Sequence, residues 1–227
     1  MKHTLWQILM TAWIFGLVMS AGTAQDQALK PAEDSWRETF DRLLRKYCRP
    51  DGVDYRAWHQ SASDLGAIQS VTAGIASEEI ADAGREARMA FYLNAYNAWI
   101  LRKILDDYPV DGPGGGGFVG RNLFFRAKSI TVAGKRMSFD YLENEIIRPE
   151  FGDPRIHFAL NCASASCPPL YRKAFRAAEL DSVLDTLARA YVQGNPEGLQ
   201  IDHSARTVRL SRIFEWFRED FSRRGGV

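Results

Sequence analysis

The chain has 227 residues, 46% of them hydrophobic and 25% charged, with 29 Lys and Arg against 28 Asp and Glu. This composition excludes a disordered, collagen-like, coiled-coil or polytopic membrane protein. The near-zero net charge leaves no basic excess to drive nucleic-acid binding, and the length suits one domain.

Met1-Lys2-His3-Thr4 is a short positive start, and Leu5 to Met19 follows as a mostly apolar run of 15 residues. That is shorter than the ~20 residues a membrane span needs. Ser20-Ala21-Gly22-Thr23-Ala24 then supplies the small residues that suit signal peptidase. Residues 1–24 therefore read as a signal peptide and 25–227 as a single domain, periplasmic or secreted, with no stable membrane span after cleavage. No Cys stands near the cleavage point to take a lipid.

Ser35-Trp36-Arg37-Glu38 has the form of a capping box. It predicts a helix with Trp36, Phe40, Leu43, Leu44 and Tyr47 on one face, broken by Pro50-Asp51-Gly52. Leu65, Ile68, Val71 and Ile75 mark a second, weaker helix. Arg85 to Asp107 is the strongest element: its apolar residues surround the helix, which predicts a buried central helix stopped by Pro109. Gly112 to Gly117 satisfies G-x-G-x-x-G only trivially, without a preceding strand, a clear following helix or a Lys. It reads as a flexible surface insertion.

Ser129 to Phe139 predicts a hairpin turning at Ala133-Gly134-Lys135, with Ser138 capping a helix to Arg148. Ile156 to Cys162 is nearly all apolar and predicts a central strand. Leu180, Val183, Leu184, Leu187 and Tyr191 predict a further amphipathic helix. Leu199–His203 and Thr207–Leu210 form a second hairpin pattern, and Ser211 caps a last helix bearing Phe214, Phe217 and Phe221. Helices and hairpins are segregated, so the expected class is α+β: a mainly antiparallel sheet packed against the buried central helix.

Several segments together resemble the domain of unknown function 547 family. They are Asp51-Gly52-Val53-Asp54-Tyr55, Ala90-Phe91-Tyr92-Leu93-Asn94-Ala95-Tyr96-Asn97-Ala98, and Ile130-Thr131-Val132-Ala133-Gly134 with Leu142-Glu143. Asp153 to Cys162, Ser166-Cys167-Pro168-Pro169-Leu170 and Leu210-Ser211-Arg212-Ile213-Phe214 complete the set, in family order. The resemblance implies an exported bacterial or a plant protein and brings no settled activity with it. The glycine stretch and Cys48 depart from the family pattern.

Of the four histidines, only His157 sits in an apolar segment. One reading is a hydrogen-bonded core histidine; the other is a general base, since imidazole titrates near neutrality. If residues 157 to 162 are extended, five steps of ~3.3 Å put Cys162 about 16 Å from His157. Cys167 can fold back through Ala163-Ser164-Ala165-Ser166, so Cys167 and His157 are the candidate thiolate–imidazolium pair. Glu143 would orient the ring, and Asn94 or Asn97 would do so or steady an oxyanion. Both asparagines lie on the buried helix, and the alternative is a polar clamp on neighbouring backbone.

The competing arrangement is a Cys162–Cys167 disulfide that leaves Cys48 unpaired. No H-x-x-x-H or C-x-x-C spacing calls for a metal, and no cofactor motif stands out. Two functions follow. One is thiol-dependent acyl transfer or hydrolysis on a peptide-like or amide substrate. The other is a non-catalytic binding module for a small molecule or peptide, with a structural disulfide.

Overall fold

The fold comes from a computed structural model that describes residues 33–115, 117–163, 167–194 and 197–222. The expected signal peptide lies outside the described residues. Helix α1 spans Glu33–Tyr47, starting just ahead of the expected Ser35 cap. It buries Trp36, Phe40, Leu43, Leu44 and Tyr47, the face its periodicity marks. A short ladder joins β1 (Cys48–Arg49) to β2 (Gly52–Val53), and α2 (Tyr55–His59) and α3 (Ala62–Ser77) follow.

Asp64 pins α3 to α1: its buried carboxylate accepts from Arg42, Lys46 and the Tyr47 hydroxyl, each at 2.7 Å. Burial pushes this carboxyl up, but the three donors outweigh it and hold it well below the usual range.

Helix α4 (Arg85–Asp107) is the centre of the core, as its all-round apolar pattern predicts. Leu93, Ala95, Ala98 and Leu101 are wholly buried, and so are the side chains of Asn94 and Asn97. Further elements follow it along the chain. They are α5 (Gly117–Ala127), β3 (Ser129–Val132), β4 (Lys135–Ser138), α6 (Phe139–Tyr141), a π-helical stretch Leu142–Ile147 and α7 (Arg148–Phe151). A 3-10 turn Pro154–Phe158, α8 (Leu180–Gly194), β5 (Leu199–Asp202), β6 (Thr207–Leu210), α9 (Ile213–Trp216) and α10 (Arg218–Ser222) complete the chain.

The class is α+β; among the described residues all pairing is antiparallel, but the strands form three separate two-stranded ladders instead of one sheet. The segment expected to be the central strand accounts for the difference. Asp153 caps it through the Arg155 amide at 3.0 Å, and Pro154 fixes φ at its first position. Residues 154–158 therefore wind into a 3-10 turn, and the backbone beyond is met by Asn97 in place of a neighbouring strand.

The glycine stretch also differs from expectation, because α5 opens at Gly117. The loop and the helix touch closely. A Cβ on Gly114 would stand 1.9 Å from the Gly120 carbonyl oxygen, and Gly114 has φ +68, so this contact needs glycine. Phe124 then anchors α5 by stacking on Phe139, ring centroids 5.4 Å apart. No helix among the described residues is long and apolar enough to cross a membrane.

Candidate functional site

Asn94 and Asn97 sit three residues apart, so both project from one face of α4. Each amide behaves as a short piece of strand. Asn94 donates Nδ2 to the Phe175 carbonyl at 2.9 Å, and its Oδ1 accepts from the Phe175 amide at 2.8 Å. Asn97 donates to the Ala159 carbonyl at 2.9 Å and accepts from the Asn161 amide at 3.0 Å. These are polar clamps between the helix and two irregular segments, and the buried backbone groups they satisfy would each cost ~1–3 kcal/mol if stranded.

His157 lies in the 3-10 turn with its side chain 2% exposed. Its hydrogen bond goes to Asp220, Nε2 to Oδ2 at 2.8 Å, and not to a thiol. The same Asp220 oxygen accepts from Arg148 Nε at 2.7 Å. An ionised carboxylate only accepts, so His157 donates through Nε2. Phe217 stacks on the imidazole with centroids 3.7 Å apart, and the Arg148 guanidinium stands 5.2 Å from the Phe217 ring.

Burial pushes the His157 imidazole down to about 4, overriding the raising pull of Asp220, so the ring is neutral at ordinary pH. Burial also pushes Asp220 up, but the Arg148 and His157 donors outweigh it and keep it low.

Glu143 does not orient the histidine; Asp220 does. Glu143 sits on the π-helical stretch with its carboxyl against the Tyr96 hydroxyl, within the field of Arg148 and Asp220. Burial is the chief cause that raises its pKa. Asp220 is the residue that the sequence reading missed. Its signal is an acid three positions after Phe217, on a face that is otherwise apolar.

Cys167 is bonded to Cys162 with Cα atoms 6.2 Å apart. The loop they close is stapled at its neck by Asn161. Its Nδ2 donates to the Pro168 carbonyl and its Oδ1 accepts from the Ala163 amide, both at 2.8 Å. Cys48 is free and buried, and burial pushes its thiol up to about 12. Of the anticipated constellation, His157 and Asn97 thus meet one short segment, while Cys167, Glu143 and Asn94 each have a different partner. No group of three or more His, Cys, Asp or Glu among the described residues is arranged to hold a metal ion.

Phe158, the next residue along the chain after His157, borders an open cleft. This cleft of about 800 Å³ runs beside the disulfide loop, within the range of small-molecule sites. Phe158, Pro168, Leu170, Tyr171, Leu187 and Tyr191 line it with apolar surface. Arg45, Arg172 and Lys173 also border it, and no acidic side chain does among the described residues.

Residues 80–192 match a family model described as a protein of unknown function, DUF547. Through that segment the chain belongs to the domain of unknown function 547 family. The match holds α4, the His157 turn, the disulfide loop and most of α8, whereas Arg45 and Asp220 fall outside it. No curated protein and no solved structure matches the chain.

Proposed function

We propose that this is an exported, non-catalytic binding module for a small molecule or peptide, with Cys162–Cys167 as a structural disulfide. The bonded state of Cys167 supports it most directly. A nucleophile must be a free thiolate, and a general base must reach it. Here the sulfur is engaged and the imidazole is buried, neutral and bonded to Asp220. Both asparagines are buried and clamp backbone, so neither side chain is aimed at a free thiol. The apolar run Leu5 to Met19 behind a positive start supports export, as does a disulfide, which persists in oxidising compartments.

The test is turnover of amide and thioester substrates by the protein as purified and after mild reduction, alongside Cys167→Ser. No turnover that depends on Cys167 is expected in either state. Hydrolysis that Cys167→Ser and His157→Ala both abolish would restore thiol-dependent acyl transfer.

A further inference from the structure

We infer that the cleft beside the disulfide loop takes a free anionic amphiphile: one carboxylate or phosphate head on an apolar chain or ring. This rests on the binding-module reading and names the ligand class. Three observations converge on it.

The first is the floor. Phe158 and Tyr191 belong to a small apolar cluster of their own, apart from the main core; both are buried and back the cleft, whose half-buried apolar lining comes from Leu170 and Leu187. Pro168, directly after Cys167, forms a wall whose position is set by the disulfide and by the Asn161 staple. An apolar tail meets a surface that is already in place, which lowers the ordering cost of binding.

The second is the charge. Arg45 comes from the last turn of α1, and Arg172 and Lys173 from the segment before Phe175. All three are exposed. Arg172 donates to the Arg45 carbonyl at 3.1 Å, which fixes the guanidinium at the rim and leaves further N–H groups for an anion. None of the three forms an ion pair among the described residues. Asp41, one turn before Arg45, is already engaged by Arg176 at 3.0 Å and by the Ala174 amide. The rim therefore carries three cationic side chains that form no ion pair among the described residues, over an apolar floor.

The third separates a free amphiphile from a membrane surface. Membrane docking needs large apolar side chains exposed around the cations. The exposed ones here, such as Val119, Leu123, Ile201, Val208 and Trp216, lie elsewhere and do not line the cleft. The apolar surface near Arg45 and Lys173 is inside a concavity, where a single chain fits and a bilayer does not.

The experiment is calorimetric titration of the oxidised protein with dodecanoate below its micelle concentration, with dodecyltrimethylammonium and a tri-glutamate peptide as comparators. Dodecanoate is expected to bind saturably at one site. The double charge reversal Arg45→Glu with Lys173→Glu is expected to weaken it about tenfold or more, and the cationic chain to bind at least about tenfold more weakly than dodecanoate. Ala190→Trp, on the wall of the cleft, is expected to block dodecanoate while leaving the rim charges in place. The substituted side chains are exposed, so the melting temperature serves as the control for folding.

Absent dodecanoate binding, or equal binding by the double variant, overturns the inference. Tighter binding of the tri-glutamate peptide than of dodecanoate overturns the ligand class as well. None of these results touches the binding-module reading, which fails separately, on Cys167-dependent turnover.

Discussion

Two consecutive residues, His157 and Phe158, face opposite kinds of surroundings. His157 enters a closed polar network with Asp220, Arg148 and the stacked ring of Phe217. Phe158 floors an open cleft rimmed by cations. Both residues are buried to the same degree, but the histidine is closed in by Asp220 and Phe217, whereas Phe158 borders a cleft. A histidine held by an ionised carboxylate that also binds arginine is a fixed donor, well suited to joining the C-terminal helix to the core. The cleft gets its polarity from cationic side chains that form no ion pair among the described residues. In this fold, accessible chemistry is carried by exposed cations and concave apolar surface, and buried ionisable groups serve as struts.

Breaking the closed side should have the largest effect. Asp220→Leu leaves His157 and Arg148 facing a side chain that accepts nothing, and it should cost about 3–5 kcal/mol in urea unfolding. A loss below about 1 kcal/mol would show that the network holds nothing together. The clamps come next. Asn97→Leu strands the Ala159 carbonyl and the Asn161 amide and should cost about 2–4 kcal/mol, and Asn94→Leu should cost a similar amount. His59→Leu, at an exposed position in α2, should stay within about 0.5 kcal/mol. Equal midpoints for the three variants would contradict the clamp geometry.

The pH dependence follows from the same network. His157 is depressed in the fold, to about 4, so the unfolded chain binds its proton first as pH falls. Its stabilising effect is fully present above the unfolded value near 6.5 and is lost as pH drops toward 4. Asp220 is held low and stays ionised through that window. Glu143, raised by burial, acts in the opposite direction, so the His157 contribution is read as a difference between proteins. Wild type should lose on the order of 2 kcal/mol more than His157→Gln between pH 7 and 4.5. Parallel profiles would place the titration elsewhere.

The smallest effect belongs to the open side. Arg45→Glu with Lys173→Glu should shift stability by no more than about 0.5 kcal/mol, because both side chains are exposed and unpaired. A larger loss would mean that the rim is structural too.

The long periodic elements were legible in the sequence. Helix α4 runs from Arg85 to Asp107, where its apolar pattern and Pro109 put it, and the β3–β4 hairpin turns at Ala133-Gly134. Position and period carry enough information there. Residues 156–162 were not legible, because a short apolar run fits a strand and a buried irregular segment equally well. What decides between them is Asn97, some 62 residues earlier, whose amide replaces a neighbouring strand. Helix α5 was hidden by its glycines, which lower helix propensity while allowing the contact between Gly114 and Gly120. At the site, both pairings of Cys167 were open in the sequence, and the geometry that favoured His157 assumed an extended chain that does not form. Asp220 is 63 residues from His157, and no local pattern links the two.

The bonded state of Cys167 is the point on which the account turns. The direct measurement is alkylation of the native protein, purified without reductant, followed by peptide mass mapping. The expected result is a linked Cys162–Cys167 peptide, with no label on either residue and none on buried Cys48 until the protein is unfolded. After reduction, the two loop cysteines should label at similar rates, and His157→Ala should leave those rates unchanged. Native Cys167 that labels faster than Cys162, and that slows in His157→Ala, would contradict the account and return the histidine to a catalytic role.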